Sequence, residues 1–204
     1  MRRVLPAIAV GAILLAVSAA PLAAQDRGLG VTGGVLFATQ QIDGESDPPA
    51  LGTRVGAVGG AFYTLPLGSW LAAQIEGLYA MKGATLDVLG INSTVKIDYV
   101  EVPILARVRL GSGRRHYHVD GGIAPAFRVR ARAATAFSGA TEELDIASSV
   151  ERVDLGVAGG GGVVFGAFSI DARYTFGLRD IDADKSDSSR TKNRALAVTA
   201  GYRF

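Results

Sequence analysis

The chain contains no cysteine, which excludes disulfides, thiol catalysis, cysteine-ligated metals and any lipid anchor that must be carried on a thiol. It also lacks an excess of one charge. The formal net charge is +2, and setting aside Arg2 and Arg3 at the amino terminus leaves basic and acidic residues equal at 19 each. The isoelectric point of about 9.0 therefore gives no case for nucleic-acid binding, which calls for a basic stripe. Beyond the first two dozen residues no apolar run approaches the roughly 20 residues of a membrane-spanning helix. Tryptophan occurs once, and histidine twice. What is abundant is glycine, 27 of 204 residues, nearly double the usual share of roughly 7% and without a collagen-like period.

The amino terminus reads as an export leader. Arg2 and Arg3 form a basic start, an apolar run follows from Val4 to about Ala20, and the small residues Ala23 and Ala24 close it. Cleavage after Ala24 is expected, which divides the chain into a leader, 1–24, and one domain, 25–204. Pro6 and the small-residue ending argue against a retained helical anchor.

From Leu29 onward the apolar period is two. Val100, Val102, Ile104, Ala106, Val108 and Leu110 share one strand face, and Glu101, Leu105, Arg107 and Arg109 share the other. Tyr117, Val119, Ile123, Phe127 and Val129 alternate with His118, Asp120, Ala124, Arg128 and Arg130, and Phe168, Ile170, Ala172, Tyr174, Phe176 and Leu178 alternate with Ser169, Asp171, Arg173 and Thr175. Eight such segments are expected, at roughly 29–38, 53–65, 70–82, 94–110, 116–131, 151–165, 168–179 and 195–204. Their connections alternate between long polar stretches, at about 39–52, 83–93, 132–150 and 180–194, and tight turns around Leu67–Ser69, Gly111–Arg115 and Gly166–Ala167. This asymmetry, with strands near or above the 9–11 residues that cross a bilayer, predicts an eight-stranded, antiparallel, up-and-down transmembrane β-barrel.

A soluble barrel would turn its apolar face inward around a ligand. Here the apolar face is a continuous band almost free of charge, far larger than the patches water tolerates. The other face carries Glu76, Glu101, Arg107, Asp120, Arg128, Asp154, Asp171 and Arg173, with Arg203 on the last strand. An eight-stranded barrel has an interior just filled by side chains, so these charges are expected as a plug of ion pairs in the lumen. Glycines in mid-strand, among them Gly159 to Gly162, would make room for large side chains across it. A phosphate-binding loop is excluded for that run, since no Lys-Ser/Thr and no helical pattern follows.

Two regions carry a family resemblance. The carboxy-terminal stretch Ala197–Phe204 ends in Phe204 with Tyr202 two residues before it, and resembles the assembly signal that barrel-insertion machinery reads. The stretch Asp98–Arg107, with Tyr99-Val100-Glu101-Val102-Pro103 at its centre, is similar to the strand of the PorT-like family of outer-membrane barrels. The resemblance continues through Val119–Gly122, Asp154–Val157 with Gly159 and Gly161, Ala172–Leu178 and Asn193-Arg194. It implies an eight-stranded barrel of the bacterial outer membrane and no particular reaction. Outer-membrane lipid and lipopolysaccharide are the expected surroundings, and an irregular ladder is expected at Pro103, which has no donor.

No catalytic, cofactor or metal site follows from these residues. His116 and His118 have a chelating spacing but no third ligand nearby in sequence, and both flank a short turn. A barrel lipid enzyme would need its histidine near the long loops. Asp180, Asp182, Asp184 and Asp187 alternate like calcium ligands, yet the glycine and glutamate of a calcium loop are missing. The expectation is a non-enzymatic protein of structural or surface-interaction type, with a transport or secretion accessory as the alternative.

Overall fold

The computed structural model describes residues 28–44, 51–88, 91–137, 140–183 and 190–204; the leader lies outside them. Ten strands form one antiparallel sheet: β1 (Gly28–Asp43), β2 (Gly52–Pro66), β3 (Leu71–Val88), β4 (Ile91–Glu101), β5 (Ile104–Leu110), β6 (Arg115–Phe137), β7 (Ala140–Asp145), β8 (Val153–Phe165), β9 (Phe168–Gly177) and β10 (Arg190–Arg203). The sheet closes on itself. β1 pairs with β2 and with β10, and β3 pairs with β2 and with both β4 and β5. β6 links β4 and β5 to β8, and β9 joins β8 to β10. β4 and β5 are two halves of one stave, so the ring has eight staves of up-and-down order. Closure pairs the backbone donors and acceptors without leaving an edge, which hydrocarbon demands of any spanning sheet.

The break in the fourth stave has a chemical cause. Pro103 has no N–H, and it faces the neighbourhood of Pro125 on β6, which has none either. Register is the same on both sides of the gap, Glu101 opposite Ala126 and Ile104 opposite Ile123. The Val102 N–H still donates to the Pro125 carbonyl, and the Glu76 N–H to that of Pro103, so two bridges hold the interruption in line. At the tight turn between β8 and β9, Gly166 sits at φ 65°, where the two-residue hairpin requires a residue without a Cβ penalty.

Two features differ from the sequence reading. Strands continue through stretches read as loops: β1 to Asp43, β3 to Val88, β6 to Phe137, β10 back to Arg190, and β7 adds a strand against β6. Beyond the bilayer both faces meet water, so these extensions carry no apolar period to betray them. A register shift between Asp98 and Tyr99, against Arg130 and Arg128 on β6, also inserts one residue at Val129. Arg130 consequently turns outward and is exposed, not inward with Asp120 as alternation implied.

The outer wall is apolar. Val31, Val35, Ile75, Ile104, Val119, Ile123, Val157, Ile170 and Val198 all stand exposed on it. Near the short-turn end Tyr63, Trp70, Tyr117, Phe168, Tyr202 and Phe204 are exposed together, with the Tyr202 ring 5.0 Å from Phe168 and 5.6 Å from Phe204. Rings with an apolar body and a polar tip concentrate where hydrocarbon meets water, so this girdle marks one membrane interface.

Candidate functional site: the charged lumen

Alternation sends every second side chain into the lumen, and there the sequence-distant charges meet. Arg173 on β9 donates from Nη1 and Nη2 to the Glu76 carboxylate on β3, at 2.7 and 2.9 Å. Its Nε lies 3.5 Å from Asp120. Arg107 on β5 bridges Asp120 on β6, at 3.1 Å, and Asp171 on β9, at 3.2 Å. His118 Nε2 donates to Asp171 at 2.8 Å, and Ser169 donates to the same carboxylate at 2.7 Å. Gln74 completes the layer, donating to Glu76 at 2.5 Å while accepting from Thr64 at 2.9 Å. Charges so buried are costly alone and persist only when paired and hydrogen-bonded.

Along β3 the inward residues run Gln74, Glu76, Leu78, Ala80, Lys82. Leu78 and Ala80 pack with Leu36, Ala38, Val58 and Ala195 into an apolar cluster. That cluster lies beyond the Glu76 network on the way to the long loops. Past it, Lys82 pairs with Glu101 and stands 5.6 Å over the Tyr99 ring. Asn193 donates to Asp154 at 2.8 Å and to the Tyr99 hydroxyl at 3.1 Å. The apolar cluster therefore covers the β1, β2, β3 and β10 side of the lumen, while Glu101 stands in register with Leu78 on the next stave, so polar and apolar groups share this level.

Of the residues singled out in the sequence, Glu76, Arg107, Asp120, Asp171 and Arg173 form one connected network, whereas Glu101 pairs with Lys82. Asp154 bonds Asn193, and Arg128 lies in register opposite Tyr99. Neither has an ion pair within 4 Å among the described residues. Arg203 donates to the Gly166 carbonyl at 3.3 Å at the short-turn mouth. Tyr202 and Phe204 stand on the outer wall.

Sequence reasoning passed over Lys82, Gln74, Tyr99 and Asn193 as lumen groups, and left His118 without a partner. Lys82 and Gln74 share the parity of Glu76 and were legible by that rule. Asn193 sat in a stretch read as loop. Asp98, also passed over, accepts a hydrogen bond from the Tyr79 hydroxyl at 2.8 Å and lies 3.9 Å from Arg54.

His118, Asp120 and Asp171 bring one ligand atom each within 4.8 Å of one another, a donor set a cation could use. The Arg107 guanidinium already stands between the two carboxylates, and a metal would have to displace it. Asp180 accepts backbone N–H bonds from Asp182 and Thr191, at 3.1 and 3.0 Å, which is a turn-capping arrangement; Asp184 and Asp187 lie outside the described residues.

A closed antiparallel ring with an apolar, aromatic-girdled wall and a charged interior defines a transmembrane barrel of the outer-membrane type. Residues 23–183 match the outer membrane protein beta-barrel domain, and the chain belongs to that family. It is a bacterial outer-membrane β-barrel protein. Among solved structures it is similar to Ail, the attachment invasion locus protein of Yersinia pestis, at 18% identity and a TM-score of 0.45 over 88% of this chain and 99% of that one. It is also similar to Neisserial surface protein A, at 10% identity and 0.46 over 87% and 97%. The amino-terminal barrel of Pseudomonas aeruginosa OprF aligns at 9% identity and 0.37 over 88% and 100%. No curated protein matches the chain.

Proposed function

We propose that the protein is a non-enzymatic outer-membrane barrel with a structural or surface-interaction role, its lumen closed by ion pairs and its long loops offered to external partners. The observation that carries this reading is the occupied lumen: Arg107 and Arg173 are each held by carboxylates, Lys82 pairs with Glu101, and Leu36, Val58 and Leu78 pack together on one side. An ion crossing would have to part these pairs, and buried charges left alone are costly. The leader 1–24 is removed on export, Tyr202 and Phe204 serve the barrel-assembly machinery, and outer-membrane lipid and lipopolysaccharide surround the wall.

A transport or secretion accessory is the second reading, favoured by the PorT-like stretch Asp98–Arg107. Planar-bilayer recording of the mature chain separates the two. The proposal expects no discrete conductance above the bare membrane, and steady single-channel steps would overturn it in favour of the accessory role.

A further inference from the structure

We propose that the charged lumen is a blind, water-holding well, entered from the short-turn end only, and that the Arg107 guanidinium is its gate. The proposal rests on the closed-lumen reading above and says where the closure lies. Two cavities follow one another up the lumen. One of about 90 Å³ opens at the short-turn mouth, between Trp70, Ala72 and Val164. The other, of about 30 Å³, lies among Gln74, Glu76, Ser169, Asp171, Arg173 and Thr199. Among the described residues Arg107 alone lines both, so its side chain is the partition between them. The far wall of the inner cavity is apolar: Val58 and Leu78 belong to the apolar cluster, and Ala197 packs against it.

The inner cavity suits water. Its volume holds roughly one or two molecules, and a buried water needs about two to four polar partners. The two carboxylates, Ser169 and Thr199 supply acceptors, and Arg107 Nε, buried without a hydrogen-bond partner, is a donor still to be met. Water reaching this level from one side also lowers the cost of burying the charges around it.

The partition is held as a latch. Both bonds from Arg107 to its carboxylates, 3.1 Å to Asp120 and 3.2 Å to Asp171, leave from Nη2 alone. Once those two part, the guanidinium swings on its own side-chain torsions, while β5 stays paired with β3 and β6. The room for that swing is the mouth cavity. Arg109 and Arg203 line it too, and like charges repel, so the gate rests shut.

The chain has no cysteine, so an introduced thiol stands alone and reports its own surroundings. Fold the mature barrel in zwitterionic micelles, add silver ion, and measure the thiol still free after unfolding. Three positions report: Ala72→Cys at the mouth, Thr199→Cys in the inner cavity and Leu36→Cys in the apolar cluster. With Arg107 in place, Ala72→Cys should be blocked at least tenfold faster than Thr199→Cys. Adding Arg107→Ser should speed Thr199→Cys at least tenfold, leave Leu36→Cys unreactive, and give no single-channel steps in planar bilayers. Mobility on unheated gels identifies the folded fraction. Should Arg107→Ser not fold, Asp171→Asn removes the charge of one acceptor and should speed Thr199→Cys at least threefold. A Thr199→Cys rate that is the same with the latch intact and broken overturns the gate. Reaction at Leu36→Cys, or conductance in Arg107→Ser, overturns the blind end. Conductance in the parent would instead sink the closed-lumen reading itself.

Discussion

Gly162 faces the lumen in register with His118 on one side and Asp171 on the other. The 2.8 Å bond from His118 to Asp171 therefore passes directly over the β8 backbone. A Cβ at this position would lie 2.8 Å from His118 Cε1 and 2.9 Å from Asp171 Oδ1, and closer still to the Ile170 carbonyl oxygen. The carbonyl belongs to a paired strand and cannot withdraw, so the methyl would push the histidine and carboxylate apart. Overpacking of this kind costs about 1–3 kcal/mol, and losing the hydrogen bond to the buried Asp171 carboxylate adds about 1.5–3 kcal/mol. Gly159, three residues earlier, faces the other way, and its nearest atom to an added Cβ is the Asp120 oxygen at 4.0 Å. Alanine there restricts the unfolded chain without a clash, so Gly159→Ala is expected to be neutral or stabilising by up to about 1 kcal/mol. Urea unfolding in lipid vesicles, followed by tryptophan emission, measures both. Equal stabilities for Gly162→Ala and Gly159→Ala, or a Gly162→Ala barrel as stable as the parent, would refute the claim that the missing side chain lets the bridge cross.

Other expectations follow from the same wall and lumen. Ile104→Arg places a charge on the lipid face and should cost about 2–4 kcal/mol of folding in bilayers if near the midplane; a normal folding yield would mean the faces are reversed. Glu101→Gln should still insert, with its unheated gel band melting at lower temperature because the Lys82 ammonium loses its anion, and adding Lys82→Met should recover part of that loss; failure of Glu101→Gln to insert at all would contradict a lumenal site. On the β6–β7 hairpin outside the bilayer, the hydrogen bonds from Lys96 and then Arg132 hold the Glu143 carboxyl below the ordinary glutamate range. A depressed folded value means the stabilisation is present above the unfolded glutamate's pKa and is lost as pH falls through the folded one. Lys96→Ala should move the Glu143 carboxyl titration upward by NMR, and an unchanged midpoint would show that the pair does not persist in solution.

The parts of this fold that were legible in the sequence are those where one physical demand acts on every second residue. Lipid against the outer wall imposes that demand from Leu29 to Phe204, so strand number, order and the inward charges could be read. It weakens wherever water reaches both faces, which is why Asp43, Val88 and Arg190 were read as loop although each ends or begins a strand. It fails at a bulge, where the extra residue at Val129 inverts parity and sends Arg130 outward. Partnership is a different matter, because alternation names a side chain's face but not its height. His118 and Asp171 are 53 residues apart, and only the register of β6, β8 and β9 sets them side by side. The pairing of Lys82 with Glu101 is hidden for the same reason.

The glycine excess and the buried charges are one feature seen from two strands. Between Asp154 and Val164 the inward row of β8 is Gly156, Ala158, Gly160 and Gly162, among the smallest side chains available, while its neighbours β6 and β9 present His118, Asp120, Asp171 and Arg173. Gly162 separates His118 from Asp171 in register, and Gly160 likewise separates Asp120 from Arg173. A hydrogen bond at 2.8 Å spans the intervening strand in the first case and an ion pair at 3.5 Å in the second. An eight-stranded barrel has a fixed interior, so long charged side chains on two staves must be offset by almost none on the stave between them. Filling the β8 row would thus do more than crowd the lumen: it would force the flanking charges to find partners on the far wall, and Glu76 and Arg107 already hold those places.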